Sequence, residues 1–307
     1  MGKKLRNLAA LSLASAFAGG CILAGGYLYR LTCMPRKKGD AEQNPRTKEG
    51  RRYVRNHPDR QEHYINSIDN LRLHAVMLPG GEQEHRYAVC IHGVWSDGEE
   101  MGDVARHYTG LGYHVLLPDL RGHGKSEGRY IGYGYDDRLD ILEWIYWIIR
   151  RDPEAKILLH GVSMGAATTL MVTGERLPDN VRLAISDSSY TSAIEEFMDV
   201  YEDQVVAPVL PKRLAMFLLR MEILLRAGYD IRQAAPVEAV KRSATPTLFL
   251  HGDADTFVKP QMCTQLYAAA ACEKRYTLIL GAGHVEGGYV DHDKYWRKIE
   301  DFIGDYM

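Results

Sequence analysis

From about residue 63 onward the chain alternates short apolar runs with longer stretches in which apolar positions recur every three or four residues. The short runs are Leu71–Leu78, Tyr87–His92, His114–Leu117, Ile157–His160, Leu183–Ser186, Thr247–Leu250 and Thr277–Leu280, and they read as buried strands. Between them, stretches near Met101–Tyr108, Asp136–Arg150, Met164–Arg176, Lys259–Ala271 and Lys294–Ile303 carry the helical period. Strands separated in this way by helices of roughly 10 to 15 residues predict a parallel sheet covered on both faces. The predicted class is α/β, with a doubly wound, mostly parallel sheet.

One insertion interrupts the alternation. Residues 191–240 hold helix-like patterns at Ala193–Tyr201 and Lys212–Arg226 and no strand-like run. A helical excursion leaving the carboxyl end of a strand is placed to overhang a site as a lid; the rival reading is a surface excursion with no gating role. Its apolar residues Phe197, Met198, Val205, Val206, Leu214, Met216, Phe217, Leu218, Leu219 and Met221 exceed what one packed face needs.

The N-terminal part has a different character. Leu8–Tyr29 is a run of 22 residues without a charge, flanked by Lys3, Lys4 and Arg6 before and by Arg30, Arg36, Lys37 and Lys38 after. As a helix it would span roughly 33 Å, enough for a bilayer, so residues 1–34 are expected to form a transmembrane anchor. A cleaved signal sequence is the rival, with Ala14-Ser15-Ala16 and Ala16-Phe17-Ala18 as small-residue cleavage sites, but the apolar run continues past both. A lipoprotein at Cys21 is disfavoured by Ala18, and N-myristoylation by Arg6. Residues 35–62 are charged and read as a linker, leaving 63–307 as the main domain with its cap at about 191–240. Both flanks of the anchor are basic, and a short basic N-terminus staying inside would place the domain outside the cytoplasm.

Charge follows the same division. The net charge is −2, yet residues 1–60 hold 13 Lys/Arg against 4 Asp/Glu, a balance of +9, and the remainder holds 25 against 36, a balance of −11. A net-acidic body without a basic stripe excludes nucleic acid as the expected partner, whereas a basic segment beside an apolar one suits anionic lipid head groups. The five cysteines, Cys21, Cys33, Cys90, Cys263 and Cys272, define no disulfide framework. Oligomeric state is not legible.

Chemistry concentrates at the ends of the predicted strands. Gly161-Val162-Ser163-Met164-Gly165 stands directly behind Ile157–His160 and directly before Ala166–Leu170, giving strand, sharp turn and helix with a serine at the apex. A turn that tight tolerates only glycine beside it and exposes the hydroxyl as a nucleophile. A serine hydroxyl needs a base within hydrogen-bond reach and an acid to orient that base. Of twelve histidines, His284 follows a strand in the small-residue loop Gly281-Ala282-Gly283-His284, whereas His292 precedes the last helix and His251 ends a strand. The acid is expected at Asp255, in His251-Gly252-Asp253-Ala254-Asp255, with Asp187 in Ser186-Asp187-Ser188 as the competing position. An acyl-transfer oxyanion also needs preorganised N–H donors, and the backbone amides of Met164 and of Val94 in His92-Gly93-Val94-Trp95 are the candidates. His92 is expected to hold this loop rather than act as a base.

These pieces, together with Asp119-Leu120-Arg121-Gly122-His123-Gly124-Lys125-Ser126, resemble the α/β-hydrolase superfamily over roughly residues 65–307, in the branch similar to serine aminopeptidases and monoacylglycerol lipases. The resemblance implies that the Asp119–Ser126 run is a structural loop near the site. With serine at the elbow it implies ester, thioester or amide hydrolysis, not dehalogenation or epoxide opening. The expectation is a Ser163–His284–Asp255 triad acting through an acyl-enzyme on a small-molecule ester or amide, with no metal or organic cofactor. Lipid-derived esters suit the apolar insertion. An aminopeptidase, for which Glu195, Glu196, Glu202 or Asp203 would meet a substrate ammonium, and an acyltransferase on the same triad are the alternatives; a non-catalytic tethered binding domain is a third.

Overall fold

The structure, a computed structural model, describes residues 19–36, 45–81, 85–204 and 210–307. Residues 8–18 of the apolar N-terminal run lie outside the described residues. Among the described residues no helix is long and apolar enough to cross a membrane.

Residues 19–33 are helical and form α1. There follow α2 (Pro45–Asn56), β1 (Gln61–Asn66), β2 (Arg72–Leu78), β3 (Arg86–Ile91), a 3-10 turn (Gly98–Met101), α3 (Gly102–Gly110), β4 (His114–Pro118), α4 (Asp137–Ile149), β5 (Lys156–Val162), α5 (Met164–Thr173) and β6 (Val181–Asp187). The insertion contributes α6 (Ala193–Gln204), α7 (Lys212–Ala227) and α8 (Pro236–Val240), and β7 (Thr247–Gly252), α9 (Pro260–Ala269), β8 (Lys274–Ile279), α10 (Gly287–Val290) and α11 (His292–Tyr306) complete the chain. One eight-stranded sheet has the order β1-β2-β4-β3-β5-β6-β7-β8. β2 runs antiparallel to both of its neighbours, β1 and β4, and β3 to β8 are mutually parallel.

Both faces of the central strands are buried, which is why they read as continuous apolar runs. Val76, Leu78, Ala88, Cys90, Val115, Leu117, Leu158, Leu183 and Ile185 join Tyr108, Trp296, Ile299 and Phe302 in one cluster, under α3 and α11. Their alternate neighbours, Ala75, Met77, Val89, Ile91, Leu116, Ile157, Leu159 and Ala184, pack with Trp144, Ile148, Ala167 and Met171 of α4 and α5 on the opposite face. Every residue of α5 is buried, so this helix is fixed on all sides, and its N-terminus is the one beside Ser163.

The chain departs from the sequence reading ahead of the sheet. Residues 45–56, expected within a polar linker, form α2, and β1 adds an antiparallel edge strand. Charge hid both. Arg51 of α2 is buried and donates to both oxygens of Asp97 at 2.7 and 2.8 Å, while Val54 is the helix's fully buried apolar residue. A basic helix docked by ion pairs has the composition of a solvated linker. β1 reads Gln61-Glu62-His63-Tyr64-Ile65-Asn66, half exposed, as an edge strand is.

A buried polar chain ties the two halves of the sheet to its covering helices. Tyr108 OH of α3 donates to His160 Nδ1 at 2.9 Å, and His160 Nε2 meets Tyr295 OH of α11 at 3.2 Å. Tyr295 OH donates onward to Asp187 Oδ2 at 2.8 Å, and Ser188 Oγ donates to Asp187 Oδ1 at 2.9 Å. Burial pushes the His160 imidazole down to about 3, so it is neutral and relays hydrogen bonds without charge. Burial also raises Asp187, against the hydrogen bonds of Tyr295 and Ser188. Tyr295→Phe removes the hydroxyl that both His160 and Asp187 use, and the expected loss is about 1–3 kcal/mol of unfolding free energy. Urea unfolding of the variant checks this; an unchanged midpoint would show that the chain contributes nothing to stability.

Candidate active site

β5 ends at Val162 and α5 begins at Met164, so Ser163 makes the turn alone. Its backbone sits at φ 54° and ψ −120°, outside the regions a residue with a side chain ordinarily occupies. Two glycines make the turn possible. A Cβ at Gly161 would strike the carbonyl of Gly165, and a Cβ at Gly165 would strike the carbonyl of Ile91 in β3. The Ser163 amide donates to the Asp187 carbonyl at 2.9 Å, pinning the elbow to the end of β6.

The three side chains expected to act together meet. His284 Nε2 lies 2.8 Å from Ser163 Oγ, and His284 Nδ1 lies 2.7 Å from Asp255 Oδ2. With Nδ1–H donated to the carboxylate, Nε2 is left to accept the serine proton. They arrive from the ends of β5, β7 and β8, three strands whose carboxyl ends lie together because β5 to β8 are parallel neighbours.

Asp255 is held on every side. Oδ1 accepts from the amides of Phe257 and Val258, each at 2.9 Å, and His251 Nε2 approaches Oδ2 at 3.1 Å while also meeting the Val258 carbonyl at 2.9 Å. Burial alone would raise this carboxyl, but the hydrogen bonds from His251 and His284 outweigh it and hold Asp255 below the usual carboxylate range. The second acid of the segment is used differently. Asp253 Oδ1 accepts the Gly281 amide at 2.6 Å, clipping the histidine loop to β7. That loop is also held by the Gly283 amide on Glu286 at 3.1 Å, and Val285 in it adopts φ 58°. Asp187, the competing position for the acid, bonds Tyr295 and Ser188 instead of His284.

The candidate oxyanion corner is built by β3 and the run after β4. A Cβ on Gly93 would lie 3.4 Å from Ser163 Cβ and 3.9 Å from its Oγ, so the loop carrying Val94 passes directly beside the serine. Two imidazoles fix its path. His92 accepts the Leu120 amide on Nε2 at 3.0 Å and donates from Nδ1 to the Gly93 carbonyl at 2.7 Å, so it holds the loop and lies outside the Ser163–His284–Asp255 chain. His123 donates from Nδ1 to the Arg121 carbonyl at 2.9 Å and accepts the Trp95 amide on Nε2 at 3.1 Å. Burial, with His92 beside it, pushes the His123 imidazole down to about 3 and keeps that acceptor available.

The Asp119–Ser126 run supports this corner from behind. Asp119 accepts His74 Nδ1 at 2.7 Å, the Gly98 amide at 2.7 Å and the Lys125 amide at 2.8 Å. Burial would raise its pKa, and these bonds bring it below the ordinary value instead. Arg121 forms a two-pronged pair with Asp140 of α4, 2.7 Å on each prong. Sequence reasoning placed the run near the site; it did not identify Asp119 as a hub, because His74, Gly98 and Lys125 converge on it from three separate segments.

Of the insertion acids weighed for a substrate ammonium, Glu195 accepts from Thr191 Oγ1 and Glu196 is buried, while the side chains of Glu202 and Asp203 lie outside the described residues. A cleft of about 610 Å³ between α3 and α11 reaches Val162, Asp187 and Val285 from behind, but none of Ser163, Asp255 and His284 lines it.

Known proteins share this architecture. The archaeal esterase Pf2001 of Pyrococcus furiosus superimposes with a TM-score of 0.69 at 21% identity, covering 89% of this chain and 98% of that one. An uncharacterised protein of Mycobacterium tuberculosis is 30% identical over 242 residues, 78% of this chain and 77% of its own length. The lysophosphatidylserine lipase ABHD12 of Danio rerio is 31% identical over 201 residues, 63% of this chain and 49% of its own length. A sequence profile of the alpha/beta hydrolase family matches residues 88–295. With the sheet order, the elbow and that match in agreement, the chain belongs to the alpha/beta hydrolase family.

Proposed function

We propose that this protein is a serine hydrolase that cleaves carboxylic esters of acyl chains through an acyl-enzyme on Ser163. The observation that carries the reading is the continuous hydrogen-bonded chain from Ser163 Oγ through His284 to Asp255, at 2.8 and 2.7 Å. Ser163 Oγ attacks the ester carbonyl as His284 Nε2 takes its proton, and the stabilisation of the oxyanion is assigned to the Val94 and Met164 amides. His284 returns the proton to the departing alkoxide. Water then attacks the acyl-enzyme with His284 again as base, releasing the carboxylic acid. Asp255 fixes the imidazole and stabilises the imidazolium, and His251 with the Phe257 and Val258 amides keeps Asp255 ionised while it does so.

The acyl preference rests on the insertion, which serves as the cap of the site. Phe197 of α6 stands edge-on to Tyr133 with ring centres 4.7 Å apart, and Met216, Leu219 and Ile223 of α7 pack into the same cluster as Val94 and Trp95. A lipase among the relatives supports an ester of lipid origin. We assign residues 8–29 to a membrane tether, with the hydrolase domain on the extracytoplasmic side; the support is the uncharged run and its basic flanks.

A fluorophosphonate probe should label Ser163 in the folded protein. Ser163→Ala should abolish labelling and lower kcat/KM on p-nitrophenyl butyrate by roughly 10⁴- to 10⁶-fold; wild-type turnover in that variant would overturn the reading.

The two acids separate in a paired experiment. Asp255→Asn should lower kcat by roughly 10⁴-fold while leaving KM near wild type. Asp187→Asn, which touches Tyr295 and Ser188 rather than His284, should lower thermal stability and leave kcat within about tenfold. Reversed magnitudes would move the acid to the end of β6.

The pH profile follows from the charge state of Asp255. Because its carboxyl is held below the usual range, it stays ionised along the acid limb and adds no second proton to it. Activity therefore falls as pH falls with the uptake of one proton, and log kcat/KM should rise with a slope of one along the acid limb. A slope of two would show that the carboxylate titrates in the same window.

A further inference from the structure

We propose that α1 and α7 together form one lipid-seated face, so that the cap itself lies in the membrane surface and Ser163 is supplied from the lipid layer. The inference rests on the tether assigned above and extends it from the anchor to the cap.

α7 is apolar on two opposite sides. Ala215, Met216, Leu219 and Ile223 are buried against the domain. On the far side Phe217 is 52%, Leu224 41% and Leu225 76% exposed. Leu214 and Met221, half-buried, fall between them at helical spacing, so positions 214, 217, 221, 224 and 225 make one stripe. A surface helix needs only one apolar stripe to dock; the second stripe of α7, set off from the first by Arg213 and Arg220 on one side and Glu222 and Arg226 on the other, is left uncovered by the domain.

α1 repeats the arrangement. Gly25, Tyr29 and Cys33 are buried, while Leu23 is 76%, Tyr27 62% and Leu31 40% exposed along another side, with Ile22 67% exposed near the start of the buried stripe. The two helices touch along a narrow line. A Cβ on Gly25 would lie 3.2 Å from Glu222 Cγ and 3.4 Å from Leu218 Cβ, and the Arg226 guanidinium sits 5.2 Å from the Tyr29 ring centre. Leu218, Glu222 and Arg226 are the strip of α7 next to its exposed stripe, so the bare faces of the two helices adjoin. Together they exceed the scattered single apolar residues that ordinary surfaces carry.

Lipid is the occupant that the sequence and the charges select. The chain upstream of α1 continues without a charge from Leu8 to Ala18, which a docked protein does not require and a bilayer does. Arg30 of α1 and Arg213 of α7 are exposed on the same two helices, where anionic head groups would meet them, while Arg220 and Arg226 pair with Asp230 and Glu222.

The face is wired to the site. Tyr133 OH donates to the Thr32 carbonyl at 2.7 Å, and the Ile131 amide donates to the Cys33 carbonyl at 2.8 Å. Beyond the helix, Arg36 stands 4.9 Å over the ring of Trp95, the residue after Val94. The end of the lipid-seated helix thus reaches the oxyanion loop.

The test uses the full chain carrying Cys21→Ala, with Phe217→Cys or Leu225→Cys labelled by an environment-sensitive nitrobenzoxadiazole dye and Asp301→Cys on α11 as the control. In phosphatidylcholine–phosphatidylglycerol vesicles the protein should float with the lipid, and dye at 217 and 225 should shift to the blue and be quenched by brominated acyl chains. Dye at 301 should remain water-like. A chain that floats with water-like dye at 217 and 225 overturns the lipid seat and leaves the tether standing; a chain that does not float overturns both. A blue shift in detergent-free solution without lipid, accompanied by doubled mass, assigns the face to a second copy and overturns the proposal.

Activity supplies a second readout. Phe217→Glu/Leu225→Glu should leave hydrolysis of dissolved p-nitrophenyl butyrate near wild type and lower hydrolysis of monoacylglycerol in vesicles by about tenfold or more. Equal turnover of both substrates would overturn the proposal, whereas inactivity of wild type on both would fall on the hydrolase reading and leave the dye result to decide the lipid seat.

Discussion

A side chain held at φ 54° and ψ −120° costs of the order of 1–3 kcal/mol, and it persists only where its surroundings allow nothing else. Around Ser163 that requirement accounts for much of the architecture. α5 is buried along its whole length, so the first helical residue cannot shift to relax the turn. Gly161 and Gly165 let β5, α5 and β3 approach to backbone contact, and any side chain there would push the serine away from β3. The Ser163 amide donates to the Asp187 carbonyl, which couples the elbow to β6. The strain is held by the centre of the sheet, between β3 and β6.

A second constraint repeats at two carboxylates. Asp119 and Asp255 are both nearly inaccessible, and burial acts on each to favour the neutral acid. Each is kept charged by converging donors: an imidazole and two amides at Asp119, two imidazoles and two amides at Asp255. One charge organises the loop beside Ser163 from below, and the other orients His284. Asp137 and Asp187 show the opposite outcome. The Asp137 carboxyl is pushed up to about 7 by burial, with the Gly134 amide a single donor against it. The number of donors that reach a buried carboxylate decides which of these acids can work as an anion.

Most of this was legible in the chain because the features that matter are local. The seven strands expected from apolar runs are all present, with ends shifted by a few residues, and Ser163, Asp255 and His284 meet as their positions after strands suggested. What stayed hidden depends on contacts between distant segments. α2 owes its place to Arg51 meeting Asp97 across 46 residues, and its composition is that of a linker. β1 is a polar edge strand with little apolar pattern to detect. His251 reads as structural in the sequence, and it is, but its partner is the acid itself, four residues away around a turn. The choice between Asp255 and Asp187 could not be closed from sequence, since both follow a strand; only the direction of His284 Nδ1 separates them.

The N-terminal helix illustrates why an appendage in sequence need not be one in space. A tether connected by a free linker would be indifferent to the catalytic domain, and its own apolar run would be its whole contribution. Here α1 is joined to the domain by two backbone carbonyls, those of Thr32 and Cys33, which accept from Tyr133 and Ile131. Those donors belong to a segment that is also held from the insertion side: Tyr190 OH donates to the Tyr133 carbonyl at 3.0 Å and Tyr229 OH to the Gly132 carbonyl at 2.9 Å. Tyr133 itself adopts φ 50°, another strained position fixed from several sides. Movement of α1 therefore cannot occur without disturbing Tyr133, and Tyr133 packs on Phe197 of α6. The helix, the tyrosine segment and α6 form one connected unit, so whatever fixes α1 in place also bears on Tyr133 and, through it, on Phe197 of the insertion.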